Sequence, residues 1–261
     1  MSSRARRTII VVGAVFASLG LFVVGFVVYA SLPYRADEDA YLAAWRSNAV
    51  QITGTDRGFV IEPTTTGRGS EDIGLVFIPG ARVEPSAYLF RMAGIVAETG
   101  MTVVITRPTL NFAILDSRPL ETFTADAPTI DTWLVGGHSL GGVRACQWAQ
   151  SSANSAESPA SPEVVGLMLF GSYCADDLSG SGLAVATFVA SNDGLSTPDD
   201  IAQRAKLLPD DAITFTLEGA NHAQFGDYGA QAGDGEATIS TDEVQRQIAL
   251  STAEFVQQLR D

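Results

Sequence analysis

Leu134-Val135-Gly136-Gly137-His138-Ser139-Leu140-Gly141-Gly142 is the stretch whose reading decides the fold of this 261-residue chain. An apolar run, Trp133-Leu134-Val135, breaks at two glycines; Ser139 follows, and Val143 to Gln150 has helical character. Strand, sharp turn and helix form the setting in which Gly-x-Ser-x-Gly denotes an exposed, strained nucleophilic serine. Glycine is required at 137 and 141 because a side chain there would collide with the neighbouring strand or helix. The helix N-terminus leaves N–H groups unpaired beside Ser139, ready for negative charge. The bland alternative is a glycine-rich strand–helix turn that only packs. A phosphate loop is disfavoured, because no Lys-Ser or Lys-Thr follows the glycines.

Outward from this turn, Ala49–Thr53 and Gly58–Glu62 flank Gly54-Thr55-Asp56-Arg57 and read as an antiparallel hairpin. Six further strands are expected at Ile73–Ile78, Thr102–Thr106, Thr132–Val135, Val164–Phe170, Ala184–Ala190 and Ala212–Leu217. Helical spacing falls between them, at Ser86–Gly100, after Ser139 and at Thr197–Leu207, and a closing amphipathic helix spans Ser240–Arg260. Ser151–Pro162, rich in Ser, Ala and Pro, reads as a solvated connection. Strands alternating with helices predict an α/β fold: an eight-stranded, mostly parallel sheet with helices on both faces.

A serine hydroxyl is a weak nucleophile until a base takes its proton. The chain has two histidines. His138 neighbours Ser139 on the same turn, so its ring is expected to point away from the serine. A packed position near the pocket floor suits it, where it is a candidate substrate contact. His222 follows the last strand, on the sheet edge where the Ser139 turn also lies, and is the expected base. The orienting acid should lie between Ser and His, after a strand. Asp193, in Ser191-Asn192-Asp193-Gly194, meets this; Asp176 and Asp177 are rivals, and a simple turn is the alternative role for Asn192-Asp193-Gly194. The oxyanion requires two N–H donors. Leu140, following the nucleophile, supplies one; the Gly80-Ala81-Arg82 loop supplies the other, with Ala81 preferred and Arg82 second. The Arg82 side chain is also a candidate contact for an anionic substrate group, although a solvated loop position is commoner for such an arginine.

No metal and no cofactor are expected: there are two cysteines, no C-x-x-C, and few histidines. Asp227 and Asp234, in the Gly/Asp-rich loop 226–236, read as a solvated turn rather than a cation site. Cys146 and Cys174 allow one disulfide if the domain lies outside the membrane, but two buried free thiols are the preferred reading.

The net charge is −14. The first 31 residues carry three arginines and no acid, so the rest has 13 basic and 30 acidic side chains, a net of −17. Such a surface repels nucleic acid and anionic membrane, which disfavours both as partners. Arg4, Arg6 and Arg7 precede an uncharged run from Thr8 to Ser31, long enough to cross ~30 Å of hydrocarbon. The expected organisation is a basic cytoplasmic N-terminus (1–7), a transmembrane anchor (8–31), a connector (32–48) and a catalytic domain (49–261) outside the membrane. A cleaved signal, giving a secreted domain, is the alternative.

Over residues 56–260 the chain resembles the α/β-hydrolase superfamily, specifically the family-5-type, dienelactone-hydrolase-like bacterial hydrolases. The resemblance is carried by Phe77-Ile78-Pro79-Gly80-Ala81-Arg82-Val83, Gly137-His138-Ser139-Leu140-Gly141-Gly142, Ser191-Asn192-Asp193-Gly194 and Gly219-Ala220-Asn221-His222-Ala223-Gln224-Phe225-Gly226. It implies an eight-stranded sheet and a Ser139–Asp193–His222 triad. Serine stands where dienelactone hydrolases proper have cysteine, so the resemblance implies fold and triad rather than that substrate. Lids in this superfamily enter after the strand that follows the elbow helix. Here that connection, Gly171–Leu183, is too short for a helical cap, so an open site is expected, partly covered by the 226–236 loop. The resulting expectation is a membrane-anchored serine hydrolase that cleaves a small acyl ester or thioester through an acyl-enzyme on Ser139. An acyltransferase or peptidase shares the first half-reaction. The alternative of another class is a non-catalytic membrane-anchored binding domain.

Overall fold

A computed structural model of the chain describes residues 3–70, 72–154 and 162–260. Most of the expected Ser151–Pro162 connection lies outside the described residues. The chain opens with helix α1 (Ser3–Ala30) and a short helix α2 (Glu38–Arg46), capped by the Asp37 side chain on Ala40 N. The strands are β1 (Val50–Thr55), β2 (Gly58–Pro63), β3 (Ile73–Ile78), β4 (Thr102–Thr106), β5 (Thr132–His138), β6 (Glu163–Phe170), β7 (Ala184–Ala190) and β8 (Ile213–Leu217). They form one sheet in the order β1-β2-β4-β3-β5-β6-β7-β8. The β1–β2 and β2–β4 pairs are antiparallel and the others parallel, as expected of an α/β sheet.

Period-two alternation divides the core. Leu75 and Phe77 of β3 face one layer, with helices α3 (Leu89–Thr99) and α7 (Thr241–Gln258) through Met92, Val96, Ile248 and Phe255. Val76 and Ile78 face the other, with Ala145, Cys146 and Ala149 of α5 (Leu140–Asn154). Both faces are therefore covered, and β3 and β4 are buried throughout. The remaining helices are one turn at Glu121–Thr124 (α4) and α6 (Pro198–Arg204), whose N-terminus carries a Thr197/Asp200 capping box.

Strand β5 runs three residues past its expected end at Val135. Gly136, Gly137 and His138 still pair with Met168, Leu169 and Phe170. Glycine permits this approach: a Cβ on Gly136 would lie 2.8 Å from the Met168 carbonyl oxygen. The hairpin is also tighter than expected. Thr55 pairs with Gly58, leaving only Asp56-Arg57 in the turn.

The preference for free thiols is overturned. Cys146 and Cys174 form a disulfide, with Cα atoms 5.6 Å apart. Helix α5 packs against β6, and Cys174 follows that strand, so tertiary packing brings the two sulfurs together. The bridge closes a 28-residue separation, a loop whose constraint on the unfolded chain is worth ~3–4 kcal/mol. The Cys146→Ser/Cys174→Ser variant is expected to melt roughly 10 °C lower, measured by circular dichroism on the full chain in detergent.

Helix α1 is long and apolar enough, by length and composition, to cross a membrane; the apolar part of a signal sequence has the same character.

Candidate active site

Ser139 occupies the turn between β5 and α5 with φ 53°. For a residue with a Cβ this left-handed conformation costs roughly 1–2 kcal/mol, and the surroundings hold it in place. Ser139 N–H donates to the Phe170 carbonyl at 3.0 Å, and the Ser172 hydroxyl donates to the Ser139 carbonyl at 2.7 Å. The flanking glycines are sterically required. A Cβ on Gly141 would lie 2.1 Å from the Ile78 carbonyl oxygen, and one on Gly137 would lie 2.5 Å from the Gly141 carbonyl carbon.

Asp193 lies on the turn after β7, and His222 begins a single 3-10 turn after β8, capped by Asn221. Asp193 Oδ2 is 2.7 Å from His222 Nδ1, and both side chains are essentially inaccessible to solvent. Asp193 Oδ1 accepts from Leu195 N–H at 2.8 Å and Ser196 N–H at 2.7 Å. So oriented, the carboxylate accepts from Nδ1–H, which leaves Nε2 as the ring nitrogen available to a second partner. The rival Asp177 is engaged elsewhere: its Oδ1 accepts from the backbone and hydroxyl of Ser179.

His138 sits beneath this pair, its ring centroid 4.4 Å from that of His222. Its Nδ1 is 2.9 Å from the Tyr88 hydroxyl, which also accepts from Gly80 N–H at 2.9 Å. The hydroxyl proton is therefore free to go to His138 Nδ1. Burial first, and then the neighbouring His222, hold His138 well below the usual imidazole range. The ring is thus neutral and adds no positive charge beside His222. Burial likewise pushes the Tyr88 hydroxyl upward.

The donor loop is resolved into its parts. Arg82 N–H donates to the Asn111 carbonyl at 2.7 Å, so this group is already used. Ala81 N–H has no acceptor among the described residues. Leu140, first in α5, has none within its helix. The Arg82 side chain, a candidate contact for an anionic substrate group, is engaged with the exit of α1. Its guanidinium lies 3.8 Å from the centroid of the Tyr29 ring and donates to the Leu32 carbonyl at 2.6 Å. Among the described residues Ser139 Oγ makes no hydrogen bond, to His222 or otherwise.

Asp234 is not the solvated turn residue that its Gly/Asp-rich setting predicts. It is half-buried; its Oδ1 accepts from Gly194 N–H (3.2 Å), His222 N–H (3.1 Å) and Gly235 N–H (2.8 Å), and its Oδ2 from Ala223 N–H (2.8 Å). One carboxylate thereby joins the Asp193 turn to the His222 turn. The 226–236 loop, expected as partial cover, packs here against residues 192–194 and 221–223. Nothing in the local pattern of Gly233-Asp234-Gly235 distinguishes this role, because the partners lie up to 40 residues away. Tyr88 and Ser172 are likewise positioned by contacts 50 and 33 residues distant in sequence. Gly171–Leu183 contains no helix, in agreement with the expected lack of a helical cap at this connection.

The model of the alpha/beta hydrolase family matches residues 74–246, a span that holds Ser139, Asp193 and His222. The chain belongs to the alpha/beta hydrolase family. Among solved structures, this α/β-hydrolase is similar to the thermophilic carboxylesterase EstE1 cloned from a metagenomic library, with a TM-score of 0.58 and 13% identity, covering 84% of this chain and 95% of that one. It is also similar to carboxyl esterase 2 from the mycorrhizal fungus Tuber melanosporum, with a TM-score of 0.53, 14% identity, and coverage of 81% and 87%. A third is the hyperthermophilic esterase from the archaeon Pyrobaculum calidifontis, at 0.56, 14%, 84% and 89%. At these identities the likeness is one of fold. No curated protein matches the chain.

Proposed function

We propose that this α/β-hydrolase is a serine esterase that cleaves a carboxylic ester or thioester through an acyl-enzyme on Ser139. The observation that carries the proposal is the buried His222–Asp193 pair, 2.7 Å apart, its imidazole centred 4.4 Å from that of His138, the residue before a strained serine at a helix N-terminus. The similarity in fold to proteins described as carboxylesterases supports the choice of ester.

In this reading Ser139 Oγ attacks the substrate carbonyl carbon while His222 Nε2 takes its proton. The carbonyl oxygen becomes an oxyanion, which accepts hydrogen bonds from Leu140 and Ala81 N–H groups. Collapse expels the alcohol or thiol, to which His222 returns the proton. Water, activated by the same nitrogen, then attacks the acyl-enzyme and releases the acid. Asp193 orients the imidazole and stabilises its charged form. The Ser139–His222 hydrogen bond forms on substrate binding, since such bonds are often long in unliganded enzymes and tighten in the Michaelis complex. A short 171–183 connection leaves the site open, which favours small or exposed acyl groups.

Helix α1 is read as a retained anchor, with residues 1–7 cytoplasmic, 8–31 in the membrane, 32–48 a connector and 49–261 catalytic. Arg4, Arg6 and Arg7 set the N-terminus inside, and the disulfide suits an oxidising outer compartment.

A fluorophosphonate probe tests the chemistry. Labelling of the full chain that disappears in Ser139→Ala supports the enzyme; an unlabelled wild type leaves only a binding domain. Turnover of p-nitrophenyl esters of increasing chain length is expected to fall with length, and a preference for long chains would overturn the open-site reading.

Asp234 acts in this scheme as a positioning residue. Asp234→Ala is expected to lower kcat by about 10- to 100-fold through misplacement of His222. KM should change little and Asp234→Asn should restore part of the rate. Equal loss in both variants would reduce Asp234 to a packing role.

A further inference from the structure

Four non-glycine residues among those described have φ in the left-handed region. One is Ser139. The other three, Arg82, Leu110 and Asn111, meet where α1 enters the domain. Strain of this kind persists only where surrounding contacts over-determine it, and it gathers at functional places. The contacts here are specific. Asn111 accepts from Arg82 N–H at 2.7 Å, and its side-chain amide donates to the carbonyl of Ala30, the last residue of α1, at 3.4 Å. Arg82 stacks on Tyr29 at 3.8 Å and bonds Leu32. The Phe112 ring lies 5.5 Å from the Phe26 ring.

The last contact sets the height of the loop relative to a membrane. A span takes about 20 residues, and every such window within the uncharged run Thr8–Ser31 contains Phe26. Phe112, packed beside it, therefore sits at the depth where the span begins or ends. Its neighbours carry apolar side chains that the protein leaves uncovered: Leu110, Ile114 and Leu115 are 38%, 64% and 43% exposed, and Leu32 is 63% exposed. At the same junction Arg35, Arg107 and Glu84 line a cleft of about 550 Å³ with Ser31 and Asn111. Apolar side chains below and arginines at the exit match the layering of an acyl boundary beneath headgroup phosphates.

We propose that the loop 109–115 and the exit of α1 form a rim seated in a zwitterionic phospholipid bilayer, which holds the Gly80-Ala81-Arg82 loop at the membrane surface. The proposal rests on α1 being a retained span and is independent of the ester reading. The net charge of −17 beyond residue 31 argues for a zwitterionic rather than an anionic surface.

Site-specific fluorescence tests this on the full chain in phosphatidylcholine vesicles. The native cysteines are bonded to each other, so a single added thiol takes an environment-sensitive fluorophore. Ile114→Cys and Leu115→Cys report on the rim and Leu19→Cys on the middle of α1. Asp131→Cys reports on the sheet edge opposite Ser139, immediately before β5. Nitroxide-bearing phosphatidylcholine is expected to remove most of the emission at 114, 115 and 19 and to leave 131 unchanged, whereas aqueous iodide quenches only 131. Lipid quenching at 19 with 114 and 115 open to iodide overturns the rim while keeping the anchor. No lipid quenching at 19 overturns the anchor, and the rim with it.

Discussion

Ser139→Ala is expected to lower kcat for a p-nitrophenyl ester on the order of 10⁵- to 10⁶-fold, with thermal stability held within about 0.5 kcal/mol. The variant removes the atom proposed to form the acyl-enzyme. It retains the backbone that holds it: alanine has the same Cβ, the same φ of 53°, and the same bonds from Ser139 N–H and to its carbonyl. Loss of activity without loss of fold is therefore the signature sought. The residual rate should reflect only donors and proximity. In the proposed mechanism nucleophile and base act as one unit, so Ser139→Ala/His222→Ala should be no slower than Ser139→Ala alone. Stopped assays on the full chain, with active-site titration of the wild type, measure both. A single variant that loses less than about tenfold would remove Ser139 from the mechanism.

Asp193→Asn carries the second large effect, about 10⁴-fold in kcat. The two carboxylate oxygens have different tasks. Oδ1 receives Leu195 and Ser196 N–H, and Oδ2 faces His222 Nδ1. In asparagine the carbonyl oxygen takes the first task, because both of those partners are donors. The amide nitrogen must then face His222, where it donates rather than accepts. Nδ1 becomes the acceptor, the ring proton moves to Nε2, and the nitrogen proposed as base is blocked. The fold should survive, since the side chain keeps its shape and both backbone bonds. An activity within about tenfold of wild type would assign the orienting role to another acid.

These two cases indicate where the sequence was readable. The turn around Ser139 is local: its glycines, its serine and its flanking apolar run lie within ten residues, and the steric demand on Gly137 and Gly141 follows from backbone geometry alone. The strand periods were equally legible, because a buried parallel strand such as Ile73–Ile78 is apolar throughout. That Asp193 and His222 meet could be anticipated because each lies within five residues after a strand, and parallel strands end on a common edge. Boundaries were less legible where glycine masked a continuing strand, as at Gly136-Gly137-His138.

What the sequence determined by itself was the mostly parallel α/β sheet and the strained turn that holds Ser139, both consequences of periodicity and short-range sterics. Tertiary structure alone decided the Cys146–Cys174 bridge, the use of Arg82 N–H and its guanidinium against Asn111, Tyr29 and Leu32, and the reach of Asp234 to three N–H groups on two turns. The physical reason is common to all three. Contacts between groups 11 or more residues apart in the chain depend on how helices and loops settle on the sheet, and no local pattern of residue types encodes that placement.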